Sequence, residues 1–283
     1  MASPAPAAPP VSEPAWTDPL LANPHAVNDK AARVNKMFSA IAPSYDLNNR
    51  LHSLWMDQHW RNVAVKMAEV KPTDMIVDVA CGTGDLTLKF AAYLGLHYDG
   101  HTPIRKDQVL GIDFTYEMLP IAQKKATALL EDVAPQDPRE SNPFEQMVGF
   151  IQGDALALPL PDASADIISI AFGIRNVSDW GRAIDEFARV LKPGGRLIIL
   201  EFSLPTNPLM RGLYNFYFRK IMPRTATLIS GDKTGAYKYL PESVNTFISR
   251  EAMQERMRAA GFTNVIARPL TFGVCVCYKG VRT

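Results

Sequence analysis

The sequence has no apolar run near the roughly 18 residues that a membrane-crossing helix needs. No Lys or Arg precedes Lys30, which argues against a secretory signal with its basic start and against an Arg-rich mitochondrial presequence. Cysteine is scarce. Cys81, Cys275 and Cys277 give neither a disulfide framework nor zinc-ligand spacing, so no metal site is expected and a reducing, cytoplasmic setting is the simplest reading. The formal net charge is only +1, so nothing suggests a nucleic-acid binder held by bulk electrostatics. What remains is ordinary for a globular chain: 283 residues, 47% hydrophobic and 21% charged, enough for one large α/β domain or two small ones. The Ala- and Pro-rich start, MASPAPAAPPVSEPAWTDPL, predicts a disordered leader over residues 1–28.

The stretch 74–85, DMIVDVACGTGD, organises the rest. An apolar run from Met75 to Val79 carries one acid, Asp78. A glycine turn follows, Cys81-Gly82-Thr83-Gly84, and then a helical pattern from Asp85. Gly82 and Gly84 let the backbone bend sharply and let a ligand approach it. The free N–H groups and positive dipole end of the next helix would face that ligand. A nucleotide-like group at the end of a first parallel strand is the expected consequence.

Before this unit, residues 30–45 read as an amphipathic helix stopped at Pro43. The next stretch, YDLNNRLHSLWMDQHWRN, mixes aromatics with hydrogen-bonding groups. It is read either as a helical cap over a sheet or as a lid that meets a substrate. After the glycine unit comes a second strand, 109–114, ending at Asp113. An acid there accepts from ribose hydroxyls in nucleotide folds. A third strand, 148–152, ends at Asp154-Ala155, where an acid suits an adenine amino group or a turn cap. A fourth, 167–172, is apolar throughout, as a strand buried on both faces should be. It opens into Gly173-Ile174-Arg175-Asn176. Ligands in open α/β sheets lie outside the carboxyl ends of strands, so Arg175 and Asn176 stand where a substrate would lie. The other reading is an arginine paired to a carboxylate. A turn at Lys192-Pro193-Gly194-Gly195 precedes a fifth strand, RLIILEF, and two strands close the chain. Residues 205–229 read as an amphipathic helix with a basic rim, suited to a membrane surface or to packing as a lid. Tyr237, Tyr239 and Ser243 follow as candidate substrate contacts.

Alternating strands and helices predict a parallel, doubly wound sheet with an antiparallel C-terminal hairpin. The short glycine turn preceded by an acid resembles the class I S-adenosylmethionine-dependent methyltransferases, which have a Rossmann-like sheet. YDLNNRLHSLWMDQHWR and RVLKPGGRLIILEFS together are similar to two long signatures of the UbiE/MenG family, the C-methyltransferases of ubiquinone and menaquinone biosynthesis. DVACGTGDLT, GIDFTYEML, GDALALPLPD and AFGIRNVSD fall in the family's order. The resemblance runs from about Val34 to the end. Asn48, Trp55 and Asp57 depart from the commoner pattern, and 95–108 and 131–147 read as insertions. Asp57 tilts the expected substrate towards demethylmenaquinol.

This resemblance implies a single domain over 29–283, with a helical cap at 29–70 and a substrate lid inserted at 204–248. It implies S-adenosyl-L-methionine as cofactor, held by Asp78, Gly82, Thr83, Gly84, Asp113, Asp154 and Ala155. It implies methyl transfer to a ring carbon of a polyprenylated quinol. Arg175 and Asn176 are then the expected catalytic residues, with Tyr45, His59 and Asp46 as candidate bases. Residues 209–221 are the candidate wall of a groove for the prenyl tail. A homodimer and contact with the inner face of a membrane are compatible with the sequence. The alternatives are a methyltransferase acting on a sterol or phenol, and a non-catalytic subunit of a quinone-synthesis complex.

Overall fold

The computed structural model describes residues 14–132, 144 and 146–283. The elements run α1 (Asp18–Leu21), α2 (Lys30–Ile41), α3 (Tyr45–Ser53), α4 (Met56–Ala68), β1 (Ile76–Val79), α5 (Asp85–Leu96), β2 (Val109–Asp113), α6 (Leu119–Asp132), β3 (Val148–Gln152), β4 (Ala165–Ala171) and α7 (Trp180–Val190). They continue as β5 (Leu191–Phe202), α8 (Pro208–Phe216), a π-helical turn (Tyr217–Ile221), α9 (Met222–Ser230), α10 (Ala236–Asn245), α11 (Arg250–Ala259), β6 (Phe262–Leu270) and β7 (Cys275–Arg282). The strands form one sheet of order β3-β2-β1-β4-β5-β7-β6. The first five pair in parallel, and β7 runs antiparallel between β5 and β6. This is the doubly wound sheet with a closing hairpin that the sequence predicts.

Strand side chains alternate between two cores, as a period of two requires. Ile76 packs with Phe90 of α5 and Trp60 of α4 on one face. Val77 packs with Ile184 and Phe187 of α7 and Met257 of α11 on the other. Cys275 and Cys277 share the first face and are fully buried, and burial pushes the Cys277 thiol up to about 12. They behave as small core residues.

A third cluster joins α2 to α9 and α10 through Met37, Ile41, Met222, Tyr237 and Tyr239. It roofs the carboxyl end of the sheet. Trp16 belongs to it, 2% exposed and stacked on Tyr239 with ring centroids 4.4 Å apart. The expected disordered leader is therefore corrected over 14–28, which is folded against this roof. Its composition is disorder-like, but Ala15, Trp16 and Leu21 supply the apolar anchors. Residues 1–13 lie outside the described residues, as does most of the 131–147 insertion.

Two further details shape the site. The strand order reverses between β1 and β4, which opens a crevice at their carboxyl ends. β5 begins at Leu191, earlier than expected. Its first residue pairs with Ala165, and Lys192-Pro193-Gly194-Gly195 loops out before Arg196 resumes the ladder opposite Ile167.

Candidate active site

Two cavities lie over the crevice. The first spans about 820 Å³, its solvent-open mouth included. Gly82 and Asp113 line one side, Asp154 and Ala155 another, and Asn176 a third. Gly82 sits at φ +55°. Its N–H donates to Asp113 Oδ2 across 2.7 Å, and Thr115 N–H donates to Asp113 Oδ1 across 2.7 Å. Each carboxylate oxygen keeps a second lone pair for a ligand hydroxyl. Burial raises the Asp113 pKa, and these backbone donors oppose it. The Cβ of an alanine at Gly173 would come within 2.6 Å of the Ala80 Cβ, so glycine is what lets the ends of β1 and β4 converge here. Asp154 is exposed at the rim, where its Oδ1 accepts from Leu156 N–H across 2.9 Å.

A narrow recess opens beside the glycine turn, lined by Tyr45, Arg61, Asp78, Gly82 and Thr83. Thr83 Oγ1 donates to Asp46 across 2.5 Å, and Lys125 bridges Asp46 and Asp85. Arg50 reaches both Asp57 and Asp85, while Arg61 Nη1 donates to Asp57 across 2.8 Å. This ion lattice ties α3 and α4 to the first turn of α5. Burial alone would raise the Asp85 carboxyl, but Arg61, Lys125 and Arg50 hold it down at about 2. Arg61 also lies over the Phe172 ring, and its Nε is buried without a partner.

The second cavity spans about 1,340 Å³, its solvent-open mouth included, and has mostly apolar walls, among them Phe38, Trp60, Phe202 and Phe218. Phe38, Tyr45 and Phe172 line both cavities and form their shared partition. Arg175 lines the second cavity and is 3% exposed. Its Nη1 donates to Glu201 Oε1 and to the Phe172 carbonyl, at 2.7 and 2.6 Å. Its Nε donates to Ser243 across 3.3 Å. Burial disfavours the guanidinium charge, and Glu201 more than restores it, so Arg175 stays cationic. Asn176 faces the first cavity instead. Its Oδ1 accepts from the Tyr239 hydroxyl across 2.9 Å, which links the partition to the roof.

The structure thus gathers Gly82, Asp113, Asp154, Ala155, Asn176 and Tyr45 around the first cavity. Other expected site residues stand elsewhere or are already engaged. His59 is exposed and lines neither cavity, because it points away from the buried Trp60 face of α4. Gly84 also lines neither; an added Cβ would meet Phe150 at 3.0 Å and Ala122 at 3.1 Å, so it serves close packing. Asp78 opens on the recess, but its oxygens already accept from Thr87 and Ser169, each across 2.7 Å, and burial lifts its pKa to about 6. Asp46 is engaged by Thr83 and Lys125. Burial raises the Tyr45 phenol, so at neutral pH it is a hydrogen-bond donor rather than a base.

Sequence reasoning missed Arg61, Glu201, Asn48 and His52, which line or brace the second cavity, and the Lys30–His25 pair behind Arg175. The signal for Asn48 and His52 was present: residues 45, 48, 49 and 52 recur at helical spacing and share one face. No such local signal exists for Glu201, which is 26 positions from Arg175.

The family model of the ubiE/COQ5 methyltransferase family matches residues 26–282. The chain is 44% identical over 246 residues to a demethylmenaquinone methyltransferase of Thermus thermophilus, covering 87% of this chain and all of that one. It is 40% identical over 256 residues to the ubiquinone/menaquinone biosynthesis C-methyltransferase UbiE of Geotalea daltonii, covering 90% and 99%. Among solved structures, a SAM-dependent methyltransferase of Thermotoga maritima aligns with TM-score 0.54 and 20% identity, over 88% of this chain and all of that one. A phosphoethanolamine N-methyltransferase 2 of Haemonchus contortus, in complex with S-adenosyl-L-methionine, aligns with TM-score 0.51 and 13% identity over 78% and 52%. These two likenesses concern the fold alone.

Proposed function

The chain belongs to the ubiE/COQ5 methyltransferase family and is an S-adenosylmethionine-dependent C-methyltransferase, and we propose that its substrate is a polyprenylated quinol, demethylmenaquinol, which it converts to menaquinol. The observation that carries this reading is the shared partition. Two cavities, one rimmed by acids and one apolar, touch at the Tyr45 and Phe172 rings, where a methyl donor and an acceptor ring would meet.

The residues present fit the cofactor. Asp113 has free lone pairs for ribose hydroxyls, and Asp154 and Ala155 edge the same cavity. The unpartnered Arg61 Nε, beside the recess, suits a carboxylate. When bound, S-adenosylmethionine supplies an electrophilic methyl group. The chain's task is to orient a ring carbon towards it and to stabilise charge on the ring oxygen. A quinol carbon next to a hydroxyl becomes more nucleophilic as that proton leaves to water, and the ring C–H proton leaves to water once the methyl is in place, which restores the aromatic ring. Arg175, fixed by Glu201, Ser243 and Phe172, stabilises the developing phenolate from the cavity wall. Tyr45 and Phe172 exclude water between the two sites.

The prenyl tail leaves through the mouth of the second cavity. Leu54 lines that cavity and is 78% exposed; Phe272, beside the lining residue Thr271, is 77% exposed. Leu213 and Phe216 of α8 are also exposed, next to the lining residues Tyr217 and Phe218. This apolar rim, with Arg211, Lys220 and Arg224 nearby in sequence, supports peripheral contact with a membrane surface. Among the described residues no helix is long and apolar enough to cross a membrane.

The test is an anaerobic assay of the purified chain with S-adenosylmethionine and a short-chain demethylmenaquinol, read by mass spectrometry. The expected product carries one additional ring methyl. Methylation of a simple phenol or sterol in preference to the quinol would overturn the reading.

A further inference from the structure

We propose that Asn48 and His52 form a pair of hydrogen-bond acceptors that reads the redox state of the substrate ring, admitting a quinol hydroxyl and rejecting a quinone carbonyl. The inference rests on the quinol reading above and adds to it the residues that recognise the reduced form.

Tyr45, Asn48, Asn49 and His52 fall at spacing i, i+3, i+4 and i+7 along α3, and all four line the second cavity. They form a polar stripe in a wall otherwise made by residues such as Met37, Phe202 and Phe218. Tyr45 marks the cofactor end of the stripe. His52 lies two turns further, about 10 Å along the axis.

The hydrogen bonds fix what the stripe presents. Asn48 is 3% exposed, and its Nδ2 donates to the Ser44 carbonyl across 3.1 Å. A carbonyl only accepts, so the amide orientation is set. Asn48 Oδ1 is then a buried acceptor, and it has no partner. His52 Nδ1 lies 3.2 Å from the Tyr217 hydroxyl, and that hydroxyl donates to the His52 carbonyl across 3.4 Å. We assign the ring proton to Nδ1, donating to Tyr217 while the Tyr217 proton goes to the carbonyl, and in this tautomer Nε2 carries a lone pair. Nε2 is also buried and unpartnered. Burial lowers the His52 pKa and keeps the ring neutral. Two buried acceptors about one helical turn apart thus belong to residues of the cavity wall and have no partner.

A quinol hydroxyl is the missing donor. A quinone carbonyl would bring a third acceptor against these two. The charged donors of the cavity, Arg175 and Arg61, stand on other walls, after β4 and on α4, as does the unpartnered Tyr237 hydroxyl on α10, and they suit the ring oxygen on the opposite side. A site built to bond a hydroxyl discriminates strongly against the analogue that lacks it, because its buried polar groups are left unpaired.

The experiment is anaerobic equilibrium binding of a short-chain 1,4-naphthoquinol and its 1,4-naphthoquinone, with S-adenosylhomocysteine present throughout. The wild type is expected to prefer the quinol by about tenfold or more. Asn48→Leu and His52→Leu each lose quinol affinity, keep or gain quinone affinity, and hold S-adenosylhomocysteine affinity within about twofold. His52→Gln, which keeps an acceptor, retains part of the preference. An unchanged preference in both leucine variants overturns the proposal. So does an equal loss for quinol, quinone and S-adenosylhomocysteine, which is the signature of a structural role. A wild type that binds neither ring form overturns the quinol reading itself, and this inference with it.

Discussion

The buried ammonium of Lys30 donates to the main-chain carbonyl of Arg175 across 2.7 Å. Its other protons go to the Val177 carbonyl at 2.8 Å and to His25 Nδ1 at 3.2 Å. A residue from the start of α2 thus pins the loop that carries Arg175 and Asn176. Burial lowers the Lys30 pKa to about 8, which still leaves it mostly protonated at neutral pH. Lys30→Met would leave two carbonyls without their donor, at about 1–3 kcal/mol each. Urea unfolding is expected to show a loss of about 2 kcal/mol or more. Turnover should fall by about tenfold, with S-adenosylhomocysteine affinity changed far less, because the loosened loop is the one bearing Arg175.

His25 gives this strap a pH dependence. Its Nε2 donates to the Ser243 carbonyl across 2.8 Å, and its Nδ1 accepts from Lys30, so the ring is neutral. Burial first, and then Lys30 and Arg175 nearby, depress its pKa from 6.5 to about 4, against the pull of the Ser243 carbonyl. Between those values the unfolded chain binds more protons than the folded one, so stability rises with pH across that window. As pH falls from about 6.5 to about 4, His25 should cost the fold about 1–2 kcal/mol after allowance for its partial exposure. His25→Gln should flatten this part of the profile in urea unfolding at pH 4.5, 5.5 and 7. Parallel profiles for variant and wild type would remove His25 from the strap.

Arg175 and Glu201 must be tested together. Both are nearly fully buried, and Glu201 Oε1 accepts from Arg175 across 2.7 Å. Arg175→Ala strands a buried carboxylate and should cost about 3–5 kcal/mol of stability, so lost turnover in that variant says nothing about chemistry. The double variant Arg175→Met, Glu201→Met replaces the pair by apolar groups of similar length and should recover most of the stability. If Arg175 stabilises the phenolate, the double variant stays at least about a hundredfold slow while binding S-adenosylhomocysteine normally. Recovered turnover in the double variant would exclude that role.

The strands were legible because each is a short apolar run closed by a turn signal, and a buried parallel strand needs little else. The first cavity was legible because its residues sit at strand ends, which topology alone brings together. The second was only half legible. Its α3 face follows from helical spacing, but the helical phase cannot be carried into α4. Leu54 and Trp55 adopt left-handed φ values of 52° and 61°, which break the helix and reset its direction. That reset turns His59 to solvent although it lies seven residues beyond His52. The pairing of Arg175 with Glu201, and the strap from His25 and Lys30, join residues far apart in sequence through burial, and no local pattern encodes them. The fold of residues 14–28 depends similarly on distant contacts, among them Trp16 stacked on Tyr239 and His25 bonded to Ser243.

Asp113 serves both the cofactor cavity and the turn that shapes it. Its carboxylate accepts from Gly82 N–H and Thr115 N–H and still faces the first cavity. Asp113→Ala should therefore do two things. It removes a charged acceptor for ribose hydroxyls, worth about 1.5–3 kcal/mol, and so weakens S-adenosylhomocysteine binding by about 10- to 100-fold in calorimetric titration. It also frees a backbone donor that holds Gly82 at φ +55°, so the apo protein should lose about 1 kcal/mol or more on urea unfolding. Asp113→Asn separates the two effects. Its amide oxygen can still accept one of the two backbone N–H groups, so stability recovers in part, while the loss of charge keeps cofactor binding weak. Wild-type affinity in both variants would show that the cofactor does not use this carboxylate.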